Sequence, residues 1–419
     1  MSIFKSADIL IPQNVDFTKW SVVACDQYTS EKNYWENVKK FVGDNPSTLN
    51  IIFPEVYLND GDGDERIKNI NKTMEEYQSS DLFRCLKNAF VYVERTQSNG
   101  KVRHGIIGAV DLEEYDFTKG SQSKIRATEG TIIERIPPRQ KIRRNASLEL
   151  PHILMLIDDR NNTVVEPLKL QKSEFEKLYD FDLMMDAGHI AGYKVSDSAK
   201  NNILSAIDRL ADGFDEKYGV KDKGLLMFAV GDGNHSLATA KSCWEEIKKN
   251  LPDEEKENHP ARFALVELMN IHDSAIEFEP IQRVLFNVDA EKLMTALMEY
   301  YPNASYENNG GQKIRYTYNG KDGEIYIKDA PCNLPVGTLQ KFLDEYMEKN
   351  GGTIDYIHGD DVVKKLTEKA DTIGFMVDAM EKNDLFATVI KDGSLPRKTF
   401  SMGEAADKRF YLECKSIKQ

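Results

Sequence analysis

The sequence predicts an α/β (α+β) protein, with a mixed-sheet core followed by a C-terminal α+β portion. Three observations carry that prediction. A strand, a helix and a second strand follow one another between residues 224 and 271, the order of a βαβ unit with its parallel strand pair. Two stretches, 88–112 and 150–167, read as β-hairpins ahead of it. Beyond about residue 290 the texture changes to one clear hairpin and several amphipathic helices. At 419 residues two domains are expected, here 1–285 and 286–419. With 41% hydrophobic residues the core needs neither disulfides nor metals to hold it.

Taken in order, "KWSVVACDQYTSEKNYWENVKKFV" reads as a short strand and then a helix with Tyr34, Val38 and Phe41 on one face. "DERIKNINKTMEEY" spaces Ile67, Ile70, Met74 and Tyr77 as a helix does. Between them, "NDGDGDE" resembles a calcium loop, which needs glycine at its sixth place and glutamate at its twelfth. Counted from Asp60, those places hold Glu65 and Asn71, so the segment is an acidic turn. "NAFVYVERTQSNGKVRHGIIGAVDL" is a hairpin around Ser-Asn-Gly, and "LPHILMLIDDRNNTVVEP" one around Asp-Arg-Asn-Asn. "DSAKNNILSAIDRLADGF" is a helix whose apolar face is Ala199, Ile203, Ile207 and Leu210. The βαβ segment follows. "KIRYTYNGKDGEIYIKD" is a hairpin by alternation and its Asn-Gly turn, "LQKFLDEYMEK" is a helix, and "DLFATVIKDGSLPRKTFSM" ends on a strand and a polar loop.

Composition excludes several function classes. The five cysteines (Cys25, Cys85, Cys243, Cys332, Cys414) are scattered and never at metal-ligand spacing, as expected for reduced thiols in the cytoplasm. No apolar run is long enough for a signal peptide or a membrane span. The formal charge of −14 speaks against nucleic-acid or anionic-lipid partners, which are held by many Lys and Arg contacts. One segment departs from that balance. From Lys124 to Arg144 there are seven basic residues and two acidic ones, either a solvated loop or the anion-binding wall of a pocket.

The turn "VGDGNHS" carries the most chemistry. A helix N-terminus exposes unpaired N–H groups and the positive end of the helix dipole, so it attracts phosphate. Gly231 and Gly233 would let the backbone approach an anion. His235 and Ser236 would add donors, and Asp232 would hold Mg2+ beside a nucleotide. The competing reading is a plain helix start, with Asn234 as the N-cap. The turn is not a P-loop, because Gly-Lys-Ser/Thr is missing. No serine-protease or Cys-His constellation can be assembled from the sequence.

"VGDGNHSLATAK" resembles the "ADGHHRYxxA" box of the bacterial proteins grouped as domain of unknown function 1015. Similar segments run along nearly the whole chain: "ADILIPQNVDFTKWSVVACDQYTSEKNYW", "IRATEGTIIERIPPR", "LMMDAGHIAGY", "ALVELMNIHDSAIEFEPIQRVLF" and "GSLPRKTFSMGEA". A more distant likeness is to the ParB/sulfiredoxin superfamily, whose Gly-x-x-His/Arg-Arg box at a strand-to-helix turn holds nucleotide phosphates and which includes kinases of free L-serine. The resemblance implies a ParB/sulfiredoxin-like mixed-sheet core in residues 1–285 and an ATP- or ADP-dependent, Mg2+-requiring kinase of a small hydroxylated metabolite, foremost free L-serine. The alternatives are a nucleotide-binding regulator without chemistry and a nucleotide or phosphoester hydrolase. A sulfiredoxin activity is excluded, since Asn234 stands where that chemistry needs cysteine.

Carried over residue by residue, Asp232 takes the place of the box's acidic residue and His235 that of its phosphate-binding histidine. Ser236 stands where many members have arginine, a lost positive charge that the basic loop would have to replace. Arg126, Glu129 and Thr131 align with a His-Glu-x-Thr segment, which makes Glu129 the candidate base for the acceptor hydroxyl and Arg126 an expected anion contact that offsets developing negative charge. Arg135 and Arg139 would clamp a phosphate with their guanidinium forks. Arg283 falls where relatives carry a His-Arg pair, with Gln282 in the histidine's place, and is an expected anion contact. Lys398 in "LPRKTF" would reach a phosphate. His272 and Asp273 supply two metal-ligand types where three or four are needed, so a hydrogen-bonded turn is expected there. His189, between glycines, fits a tight turn. The sequence leaves the number of chains open, and a homodimer is compatible with it.

Overall fold

The computed structural model describes residues 3–418. They form two compact units, one reaching to Ile276 and including the stretch from Glu404 onward, the other Glu277–Gly403. The division thus falls before residue 285. The strand Glu279–Phe286 belongs to the second unit because it pairs there with Thr353–His358 and Thr372–Met376.

The first unit is built on a mixed sheet. Its strand order is Glu176–Asp182, His189–Lys194, Val91–Thr96, Val102–Asp111, Phe263–Asn270, Leu154–Ile157, Phe228–Asp232, Ile125–Ala127 and Tyr115–Asp116, with Phe4–Lys5 beside Val102–Asp111. Alternation along the strands supplies both faces. Val91, Val93, Ile107, Ala109 and Leu265 join one cluster; Tyr92, Ile106, Val110, Val266 and Leu268 join the other. The helices Lys32–Val42 and Gly63–Ser79 cover the first face through Trp35, Val38, Val42, Ile70 and Met74. Asp197–Arg209 and Asn234–Ile247 cover the second through Ala199, Ile203, Ile207, Leu237, Ala240 and Trp244.

Several expectations are corrected. Phe228–Asp232 and Phe263–Asn270 are not a parallel pair. Leu154–Ile157 lies between them, antiparallel to the first and parallel to the second, so the two run in opposite directions. The connection is no simple crossover: after the helix it turns through Lys248–Asn250, Asp253–Lys256 and Pro260–Arg262 before re-entering the sheet. Residues 150–167 are not a hairpin. The Asp159 carboxylate accepts the Val164 N–H at 2.8 Å, and Pro167 in the first turn then starts the helix Glu166–Gln171. The helix Lys32–Val42 buries Trp35, Val38 and Val42, while Phe41 stays exposed.

The second unit is an antiparallel sheet, Ala304–Ser305, Lys321–Ile327, Gln312–Tyr318, Thr372–Met376, Glu279–Phe286 and Thr353–His358, with Phe400–Ser401 paired to the start of Glu279–Phe286. The hairpin Gln312–Tyr318/Lys321–Ile327 turns at Asn319 and Gly320, both at positive φ, as a two-residue turn requires. The segment expected to end on a strand is mostly the helix Lys382–Asp392, with Phe400–Ser401 extended. Among the described residues no helix is long and apolar enough to cross a membrane.

Candidate functional site

The turn after Phe228–Asp232 is shaped by close packing. A Cβ on Gly231 would lie 2.8 Å from Leu156 Cδ1, and one on Gly233 would lie 3.0 Å from Ile153 Cα. Gly233 also sits at φ +80°, a conformation side chains resist. Both missing side chains therefore face protein, and the glycines serve the turn's packing against residues 153–156 rather than an opening for a ligand. Gly233, not Asn234, is the N-cap of the helix, and no side chain caps it. The N–H groups of Asn234, His235 and Ser236 occupy the first turn, where intrahelical acceptors are lacking.

Each polar side chain here has a definite neighbour. Asp232 accepts the Gly233 N–H at 3.0 Å and pairs with Lys408 Nζ at 3.2 Å. Asn234 Nδ2 reaches Thr128 Oγ1 at 3.5 Å, whereas its buried Oδ1, like Thr131 Oγ1, has no hydrogen-bond partner among the described residues. His235 Nε2 accepts the Ile132 N–H at 3.3 Å. Burial, with the charges of Arg139 and Arg135, pushes the His235 pKa down to about 4. At neutral pH His235 is thus a neutral ring with its proton on Nδ1, a hydrogen-bond donor and not a cation.

The basic segment divides. Ile136–Arg143 is a helix. Arg139 pairs with Glu55 and donates to Arg135 O at 2.8 Å, while the Arg135 side chain is exposed. Arg126 is corrected as an anion contact. It is buried and donates to the carbonyls of Ser123, Lys223 and Gly224 at 2.7–2.9 Å, so it ties two loops together. Glu129 is half-buried, just past Ile125–Ala127, the strand whose Ala127 pairs with Val230. Arg283 and Lys398 belong to the second unit. Arg283 is fully buried, with its donors on Gln340 Oε1 and the carbonyls of Ile281 and Arg397. Lys398 is exposed. His272 bonds Asp158 at 2.6 Å and Asp273 bonds His104 at 2.9 Å, the hydrogen-bonded turn expected. His189 opens a strand and bonds Asp180 and Asp182.

A cavity of about 150 Å³ opens beside the helix start. Its walls are apolar, among them Ile51, Phe53, Met74, Leu148, Ile153 and Leu265, and its polar groups include Cys25, Glu55, Arg139, His152, Ser236 and Tyr411. Sequence reasoning missed most of these. It also missed Asp26, whose Oδ2 lies 3.8 Å from His152 Nε2. Burial and Asp26 push the Cys25 thiol up to about 12, so it is inert as a nucleophile. Ser236 Oγ lies 2.9 Å from His152 Nε2, a Ser–His pair that no spacing between residues 152 and 236 announces.

The donor set fits a polyphosphate: an uncapped helix start, a neutral imidazole donor and Arg135 near it. A magnesium ion fits only in its company. Among the described residues no group of three His, Cys, Asp or Glu is placed to hold a metal, but Mg2+ is commonly held by one carboxylate and substrate phosphates, and Asp232 is such a carboxylate.

A sequence model of the family described as "Protein of unknown function (DUF1015)" matches residues 9–348. No protein of curated function is matched. Among solved structures, a free serine kinase in complex with AMP is 10% identical, with 76% of this chain and 93% of that one covered and a TM-score of 0.39. SbnI with a C-terminal truncation, from Staphylococcus aureus, is 9% identical over 74% of this chain and 87% of that one, TM-score 0.37. A conserved hypothetical protein from Pyrococcus furiosus is 11% identical over 76% and 96%, TM-score 0.36. These likenesses are too distant to assign an activity.

Proposed function

The chain belongs to the DUF1015 family, and on that premise we propose that it is a cytoplasmic, nucleotide- and Mg2+-dependent phosphotransferase acting on a small hydroxylated metabolite, with free L-serine the first acceptor to test. The observation that carries the reading is the uncapped start of Asn234–Ile247, flanked by Arg135 and Arg139, at the mouth of a small cavity. Backbone N–H groups at residues 234–236 and the His235 Nδ1–H would hold the phosphates, aided by the helix dipole. Asp232, released from Lys408, would hold the metal, which supplies neutralisation of charge on the phosphates. Glu129 and Asp26 are the carboxylates that would take or orient the acceptor's proton. Arg135 would offset developing negative charge.

The test is phosphoserine formation by purified protein with L-serine, Mg2+ and either ATP or ADP, beside His235→Ala and Asp232→Ala. Product from the wild type, lost in both variants, supports the reading and its site. Nucleotide binding without transfer to any acceptor overturns it in favour of a regulator, and phosphate release without an acceptor overturns it in favour of a hydrolase.

A further inference from the structure

Four side chains from distant parts of the sequence form one hydrogen-bonded chain at the cavity. Ser236 Oγ lies 2.9 Å from His152 Nε2, and His152 Nδ1 lies 2.8 Å from the Tyr411 hydroxyl. That hydroxyl donates to Cys25 Sγ at 3.1 Å and accepts the Cys25 N–H at 3.3 Å. A phenol has one proton. With Tyr411 giving its proton to Cys25, the bond to His152 is filled by the imidazole's own Nδ1–H. Nε2 then carries the lone pair, and it faces the Ser236 hydroxyl.

The surroundings complete the arrangement. His152 is only 7% exposed, so its ring is held by packing as well as by Tyr411. Ser236 lines the cavity in the first turn of a helix whose start is uncapped, where backbone N–H groups stabilise an oxyanion or a phosphate. A nucleophile, a base within hydrogen-bond reach, a third group that orients the base and an anion site beside them are the parts of covalent catalysis. Asp26 is not the orienting group, since it approaches the same Nε2 that Ser236 uses, at 3.8 Å.

We propose that Ser236 is a nucleophile, with His152 as its base and Tyr411 as a positioning residue, and that it carries the phosphoryl group between a nucleoside polyphosphate and the acceptor. The inference rests on the phosphotransferase reading above. In the first half, Ser236 Oγ bonds to the terminal phosphorus while the bond from that phosphorus to the nucleotide's bridging oxygen breaks. The bridging oxygen leaves with the electron pair, and the Ser236 proton passes to His152 Nε2. In the second half, the acceptor's oxygen bonds to the phosphorus, the bond to Ser236 Oγ breaks, and His152 returns its proton to Oγ. The acceptor's own proton goes to Asp26 and on to solvent, the one proton released per turnover.

The experiment uses the whole chain and two electrophiles. A fluorophosphonate probe, and separately ATP or ADP with Mg2+ but no acceptor, are incubated with the protein and the modified residue is mapped by mass spectrometry. The expected result is covalent label on Ser236 from both, absent in Ser236→Ala. His152→Ala should slow labelling about 100-fold, with partial rescue by added imidazole, which a merely structural histidine would not show. Tyr411→Phe should slow it about 10-fold with unchanged tryptophan fluorescence. No label on Ser236 from either electrophile overturns the proposal. So does transfer to L-serine by Ser236→Ala at the wild-type rate, which leaves the phosphotransferase reading standing. Failure of nucleotide to bind overturns that reading and the nucleotide step, while probe label on Ser236 still supports the nucleophile.

Discussion

Gly233→Ala separates a packing role for the turn's glycine from a ligand role. At φ +80° an alanine costs about 1–2 kcal/mol in left-handed strain, of which about 0.4–1 kcal/mol is returned by a less flexible unfolded chain. The new Cβ would also lie 3.0 Å from Ile153 Cα and Cγ1, and a backbone atom cannot rotate away, so overpacking adds about 1–3 kcal/mol. The expected total is about 1–4.5 kcal/mol. Gly219→Ala is the control: φ is +62° and nothing lies within 4 Å of its Cβ, so only the strain remains, about 1 kcal/mol. Urea unfolding followed by tryptophan fluorescence reads the difference, because Trp20, Trp35 and Trp244 are all buried in the first unit. Equal losses in the two variants would refute the assigned contact. A Gly233→Ala protein of normal stability that no longer binds nucleotide would show that the glycine serves the ligand after all.

Three further outcomes are expected. Arg409 is fully buried, 3.2 Å from Glu267 and paired with Glu413, so Arg409→Met strands buried carboxylates and should cost about 3–5 kcal/mol in urea unfolding. The His235 pKa is pushed from 6.5 to about 4 in the folded chain; its contribution to stability is therefore full above the unfolded value and lost as pH falls toward the folded one, and its ring NMR signals should not titrate near neutrality until bound phosphate raises the pKa. Arg126→Met should lower stability by about 2–3 kcal/mol without changing nucleotide affinity, whereas Arg135→Ala should move stability by less than about 0.5 kcal/mol and weaken nucleotide binding several-fold in isothermal titration.

What the sequence reveals is what local periodicity and turn chemistry control. The Asn319-Gly320 hairpin and the face of Asp197–Arg209 are each set by residues close together in sequence. Ambiguity enters where neighbours compete. In Lys32–Val42 the pairs Tyr34-Trp35 and Phe41-Val42 offer two apolar stripes one residue apart, and packing chose Trp35 and Val42. Leu154–Ile157 is buried on both faces, so its apolar run carries no mark of which strands flank it or in which direction. The same limit hides much of the site. Phe410–Tyr411 pairs with Val22–Val23, bringing the Tyr411 hydroxyl against Cys25 beside Asp26, while His152 stands just before Leu154–Ile157. No spacing rule joins residues 25, 152, 236 and 411. Their convergence is a property of sheet order, and a strand pair between the two ends of the chain decides which side chains meet Ser236.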